Sequence, residues 1–121
     1  MIEIARADVV LVAFPFLSGG AAHHKRRPAV VVQSDRYNRA RAAVVLAAIT
    51  STRAHRERPC KVVVGQHDAA GREAGLRLDS VVDCQTLMTI PREQIVARLG
   101  RFPAETMRRI DNALRNALGL D

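Results

Sequence analysis

The sequence predicts a mainly β domain with a C-terminal α-helix, a small curled sheet or barrel under a helical cap. Three observations carry this. Short apolar, largely β-branched runs recur at residues 9–16, 29–33, 42–49, 60–64 and 80–90, each bounded by Gly, Pro or charge. Sustained helical spacing occurs in one place only, residues 103–118. The chain has 121 residues, the size of a single domain (1–121) that can bury a core without disulfides or metal.

Residues 9–16 read as the first strand, and 17–22 as a flexible loop broken by Gly19-Gly20. That loop delivers a basic knot, His23-His24-Lys25-Arg26-Arg27. Pro28 can open a strand but not sit in its centre, so the second strand is expected at 29–33. Residues 35–41 are polar and suit a loop or short helical turn. The run 42–49 is continuously apolar, as in a strand buried on both faces. A basic loop, 51–59, leads through Pro59 to a fourth strand at 60–64, and 65–75 is rich in Gly and charge. The fifth strand, 80–90, is expected to bend near Gln85. Residues 91–94 suit one helical turn with Pro at its first position. Ile95, Ala97 and Leu99 alternate as in a short strand. In the final helix Met107, Ile110, Leu114 and Ala117 or Leu118 share a face, Glu105 and Arg115 complement the helix dipole, and Gly119 ends it.

Charge is concentrated. The formal net charge is +7, and residues 23–58 hold nine Lys/Arg against Asp35 and Glu57, which accounts for all of it. Such a face favours an anionic partner, nucleic acid or an acidic polypeptide. With three Phe, one Tyr and no Trp, a base-stacking platform is disfavoured. Cys60 and Cys84 are too few for a disulfide framework or a zinc site and read as buried apolar residues. The acidic N-terminus and the short apolar run after it fit neither a signal peptide nor a membrane span, so a cytoplasmic protein is expected.

The familiar catalytic signatures are missing. There is no Gly-rich nucleotide loop, no Gly-x-Ser-x-Gly, and no tight carboxylate cluster for Mg²⁺. His23 and His24 are adjacent, so on a strand they face opposite ways and do not share a metal. No metal or other cofactor is expected. Cation-plus-hydroxyl chemistry on a phosphate is what the residues leave. RNA carries its own nucleophile, the 2′-OH, and needs a base, an acid and positive charge on the phosphorane. Arg27 suits the last role, because its planar fork holds two oxygens and stays charged. Thr50, ending an apolar strand, can donate to the same phosphate. Taken alone, however, an arginine at a strand entry is ordinarily solvated and a strand-end Thr bonds local backbone. Spacing by itself gives a basic β domain that binds an anion.

The order of motifs adds to this. Residues 8–16 (DVVLVAFPF), 25–33 (KRRPAVVVQ), 47–51 (AAITS), Gly75-Leu76 with Asp79-Ser80-Val81-Val82, Leu87-Met88-Thr89-Ile90, 95–100 and the terminal helix together resemble the MazF/PemK toxins of type II toxin–antitoxin systems. The resemblance implies an SH3-like small β-barrel, a homodimer, and a metal-independent, sequence-selective endoribonuclease acting on single-stranded RNA such as mRNA. It also implies a cognate antitoxin whose acidic tail lies along the RNA groove. The family's cleavage residues map to Arg27 and Thr50, and a loop histidine used by some members is matched by His24 (or His23). Lys25, Arg26, Ser51, Arg53, Arg56 and Arg58 are the candidate RNA contacts around them. An Arg and an Asp that some members carry on the fifth strand are replaced here by Asp83 and Gln85, so their acid–base roles do not transfer. Two alternatives remain at this point: a CcdB-like gyrase poison, against which stands the missing C-terminal Trp, and a non-catalytic RNA-binding barrel.

Overall fold

The computed structural model describes residues 2–18, 21–51 and 58–121, and at 14–18 and 21–25 the backbone alone. In chain order it forms β1 (Asp8–Ser18), β2 (Ala21–Val31), α1 (Asp35–Ala40), β3 (Ala43–Ser51), β4 (Lys61–Val64), α2 (Ala69–Glu73), β5 (Ser80–Pro91), a 3-10 turn (Arg92–Gln94), β6 (Ile95–Arg101) and α3 (Ala104–Leu118). The strands make one six-stranded sheet, ordered β4-β5-β3-β2-β1-β6, with antiparallel neighbours throughout.

Strand periodicity explains the two cores. Val9, Val30, Ala47 and Leu87 are successive register partners across β1, β2, β3 and β5, and they form a row under α3. Val31, Leu46 and Met88 form the next row, which points to the opposite face and joins Val10, Val12, Ile90 and Ile95 there. Successive residues face opposite ways, so an apolar run with both parities filled serves two cores at once. α3 lays Met107, Ile110 and Ala113 on the first of them. Ile110 is fully buried, so cutting it to alanine should cost about 2–5 kcal/mol. Leu118, one of two expected to complete that stripe, is instead exposed, while Ala117 packs. Gly119 closes the helix at φ 71°, the left-handed cap its type predicts.

The chain's first residues are stitched down by carboxylates. Buried Asp8 accepts from the Ala5 amide at 2.8 Å and bridges Arg98 and Arg101 of β6 at 3.1 and 3.0 Å. Arg6 reaches Asp111 of α3 at 2.6 Å, and its amide donates to Asp35 at 2.7 Å. That backbone hydrogen bond, with one from Asn38, holds the Asp35 carboxyl below its ordinary pKa.

The expected bend in the fifth strand is present. Ala47 pairs with Leu87 but Ala48 with Asp83, so residues 84–86 bulge out of the β3–β5 ladder. Asp83 closes the bulge by accepting from the Gln85 amide and the Thr86 hydroxyl, both at 3.0 Å. Beyond it Val81 and Val82 are both fully buried although they face opposite ways, which marks the curl of the sheet. The edge strands β4 and β6 do not pair with each other among the described residues, so the ladder is curled without a hydrogen-bonded closure.

Three local expectations change. The basic knot lies on β2 rather than in a loop, because residues 21–27 pair with β1 from Val12 to Ser18. Pro28 therefore sits inside a strand, opposite Leu11. It is tolerated because β2 pairs with β3 only over Ala29–Val31, so at Pro28 one edge of the strand carries no ladder. Residues 65–75 contain a short helix, α2, not only a loop. No described helix is long and apolar enough to cross a membrane.

Candidate functional site

The β2–β3 register decides what meets at the basic end of the sheet. Ala29 pairs with Ala48 and Val30 with Ala47. Continued by two residues past the last pair, the same register sets Arg27 opposite Thr50. On its other side Thr50 pairs with Val81 of β5. Arg27 and Thr50 line one cavity of about 470 Å³, together with Ser51, Arg77, Leu78 and Leu99 among others. The expected meeting of the two strand ends is thus present.

Among the described residues two arginines and three hydroxyl residues line this cavity, and no carboxylate does. A larger cleft of about 730 Å³ between β6 and α3 is the opposite case. Three of its four arginines, Arg6, Arg98 and Arg101, are paired with Asp111 and Asp8, and Asp35 and Glu73 share its walls with the fourth, Arg108. An anion is drawn to walls that carry cations and no carboxylate, so the smaller cavity is the better anion site.

Thr50 carries the most informative atom. Its Oγ1 is buried and finds no hydrogen-bond partner among the described residues. Leaving a hydroxyl so costs about 1–3 kcal/mol, and such orphans are uncommon enough to require a reason. Ser80, on the same wall, is already engaged, donating to the Leu78 carbonyl at 2.7 Å.

Sequence reasoning missed one wall of the cavity, the connection from α2 to β5 that carries Arg77 and Leu78. Gly75 turns the chain there at φ 72°, with its backbone against Leu99 of β6; a Cβ would lie 2.4 Å from the Leu99 carbonyl oxygen. Asp79 then fixes the far side by accepting from the Gln66 amide at 3.0 Å. Arg77 stands exposed between these anchors. No local pattern flags it, because its role depends on β6 packing against a distant glycine.

Of the other candidates, Arg26 and Arg58 are exposed and Ser51 is exposed at the cavity. The backbone of His24 and Lys25 pairs with Pro15 and Phe14, but their side chains, like Arg53 and Arg56 altogether, lie outside the described residues. Asp83 faces Lys61 at 3.9 Å and is occupied by the bulge. It holds the strand's shape. Both cysteines are buried, and burial, then the charge of Asp83, pushes the Cys84 thiol up to about 11, so it is no thiolate nucleophile at neutral pH. Among the described residues no three His, Cys, Asp or Glu converge as metal ligands.

The chain is similar in sequence and fold to known proteins. The model of the PemK-like, MazF-like toxin of type II toxin–antitoxin systems matches residues 5–118. Endoribonuclease MazF6 of Mycobacterium tuberculosis is 37% identical over 102 residues, covering 84% of this chain and 85% of its own. An endoribonuclease from a mycobacterial species superposes with a TM-score of 0.74 at 27% identity, covering 99% of this chain and 95% of that one. A mycobacterial endoribonuclease solved in complex with its cognate antitoxin gives 0.74 at 26% identity, with 98% and 97% covered.

Proposed function

We infer the reaction from one premise: this chain belongs to the PemK-like, MazF-like toxins of type II toxin–antitoxin systems and is an endoribonuclease of the MazF type. Its substrate is single-stranded RNA, cut at selected sequences without a metal. The RNA's own 2′-oxygen attacks the adjacent phosphorus as its proton leaves to a base. The P–O5′ bond breaks and O5′ takes up a proton. The products are a 2′,3′-cyclic phosphate and a 5′-hydroxyl.

The observation that supports this best is the joining of Arg27 and Thr50 in one cavity that, among the described residues, has no carboxylate on its walls and leaves the Thr50 hydroxyl unsatisfied. Arg27 holds the non-bridging oxygens, whose charge grows as the phosphorane forms. Thr50 donates to one of them and so gains the partner it lacks. An interaction of this kind, stronger in the transition state than before it, accounts for about 10²–10³ in rate for Arg27 and for less at the neutral hydroxyl of Thr50. With no carboxylate on the walls among the described residues, proton transfer is assigned to His24, or to its neighbour His23, whose backbone belongs to the strand that carries Arg27. Lys25, Arg26, Ser51, Arg53, Arg56 and Arg58 contact the flanking RNA. A cognate antitoxin competes for these cations through an acidic C-terminal tail, in the manner that charge complementarity favours. The toxin domain spans residues 1–121, works in the cytoplasm and pairs as a homodimer.

The ends of the products test the chemistry. Incubated in excess EDTA with a long single-stranded RNA, the protein should cut at a few sites and leave 5′-hydroxyl ends opposite 2′,3′-cyclic phosphates. Fragments with 5′-phosphates, or cutting that stops in EDTA, would refute the 2′-OH route. Intact RNA beside inhibited gyrase would favour the CcdB-like alternative instead.

A further inference from the structure

We propose that Arg77 is a second phosphate-binding residue of the pocket, touching the RNA from the wall opposite Arg27 and, with Leu78 and Leu99, seating the nucleotide at the cut. The proposal rests on the endoribonuclease reading of this cavity. Its argument begins with charge. A phosphate at the cut carries one negative charge, and the phosphorane formed from it by an ionised 2′-oxygen carries two. Arg27 alone matches the ground state. Of the described side chains lining the cavity, Arg77 is the one other cation, and no described carboxylate on the lining competes for it. It makes no hydrogen bond or ion pair to a described residue.

The placement of Arg77 is held by the fold. Gly75 adopts a positive φ and abuts the Leu99 backbone so closely that no side chain fits. The Leu76 amide donates to Gly71 at 3.0 Å, and Asp79 is tied to Gln66. Ser80, the next residue, begins β5 against Ser51. A segment pinned at both ends within five residues offers its arginine at low entropic cost, which is what a binding group requires.

The walls complete the match. Leu78 is 62% exposed and Leu99 37%, large apolar side chains facing water at a cavity rim. A cavity of about 470 Å³ lined by two arginines and by leucines accepts a phosphate and the face of one base. The leucines cannot read hydrogen-bond edges, so they select by shape and by excluding water.

The test uses the full chain and an RNA whose cut site has been mapped with wild-type protein. Arg77→Ala should lower kcat/KM by about 10–100-fold, with Arg77→Lys recovering part of it, because a point charge replaces some of what the fork supplies. Binding of the same RNA with a 2′-deoxy nucleotide at the cut should lose about 0.7 from its log–log salt slope, the share of one phosphate on a single strand. A purely structural role would not move that slope. Melting temperature should stay within a few degrees, since the side chain is exposed. If wild type cuts while Arg77→Ala cuts as fast and keeps the full slope, the proposal is overturned and the pocket reading stands. If Arg77→Lys is no better than Arg77→Ala and neither changes the slope, Arg77 shapes the loop and the proposal is equally overturned. If wild type cuts no RNA, the pocket reading falls and takes the proposal with it.

Discussion

Replacing Thr50 by valine should make this protein more stable and less active. The two side chains share a shape, and both suit a β-strand, so the change removes a hydroxyl and little else. That hydroxyl is buried without a partner among the described residues. Desolvating it costs about 1–3 kcal/mol in the folded state, and a methyl group in its place carries no such penalty. Because Oγ1 sits at a cavity wall rather than deep in the core, the lower end applies, about 1 kcal/mol. For a chain of this length that is a rise in melting temperature of about 3–5 °C. The activity moves the other way. A hydrogen bond to a charged group contributes about 1.5–3 kcal/mol, equivalent to a loss of about 10–150-fold in kcat/KM if Thr50 donates to the phosphorane. The assay pairs thermal or urea unfolding with cleavage kinetics on one mapped RNA site. Thr50→Ser serves as control, retaining the hydroxyl and hence part of the rate. A fall of several degrees for Thr50→Val would refute the argument, since it would mean the hydroxyl already has a partner. Unchanged kinetics would remove Thr50 from the reaction.

Three further outcomes are expected. Arg27→Ala should leave the melting temperature nearly unchanged, because exposed charges contribute little to folding, yet reduce cleavage by about 10²–10³; unfolding without a selective rate loss would make Arg27 structural. Neutralising Arg53, Arg56 and Arg58 together should flatten the salt dependence of RNA binding, by about 0.7 in log–log slope for each phosphate no longer held, and weaken the antitoxin in parallel; affinity indifferent to salt would remove the basic face from the mechanism. Asp35 has a pKa lowered by the Arg6 amide and Asn38, so its contribution to stability is complete above the unfolded value near 4 and lost as pH falls through the lower folded value. Asp35→Asn should therefore flatten the acid limb of the stability–pH curve, and an unaltered limb below pH 4 would show that the hydrogen bonds are not formed.

The parts of the fold that were legible are those whose pattern is local. β1, β3 and β5 announce themselves as β-branched runs because both parities of each strand serve a core, and α3 shows its stripe because one face alone is buried. The outer half of β2 was not legible. Residues 21–27 are poor strand formers followed by proline, and their extended form comes from pairing with β1, which only the three-dimensional register reveals. α2 escaped notice because five residues containing Gly71 make no periodic signal. The site divides the same way. Arg27 and Thr50 stood out by chemistry at strand ends, whereas Arg77 reaches the cavity only through the approach of Gly75 to β6.

The three-residue pairing of Ala29–Val31 with Leu46–Ala48 has a consequence for how such a protein can diversify. A slip of one residue there would turn Arg27 to the other face and also drive Val30 and Val31 into each other's cores, where neither fits its neighbours, so selection against a broken core guards the alignment of Arg27 with Thr50 automatically. The chemistry is thereby insured by residues that never see substrate. Segments 17–26 and 51–59, which adjoin Arg27 and Thr50 in sequence, supply none of those buried valines. On the mechanism proposed above, recognition can drift from one RNA sequence to another by changing these segments, in length as well as in composition, while Arg27 and Thr50 stay where the valines put them.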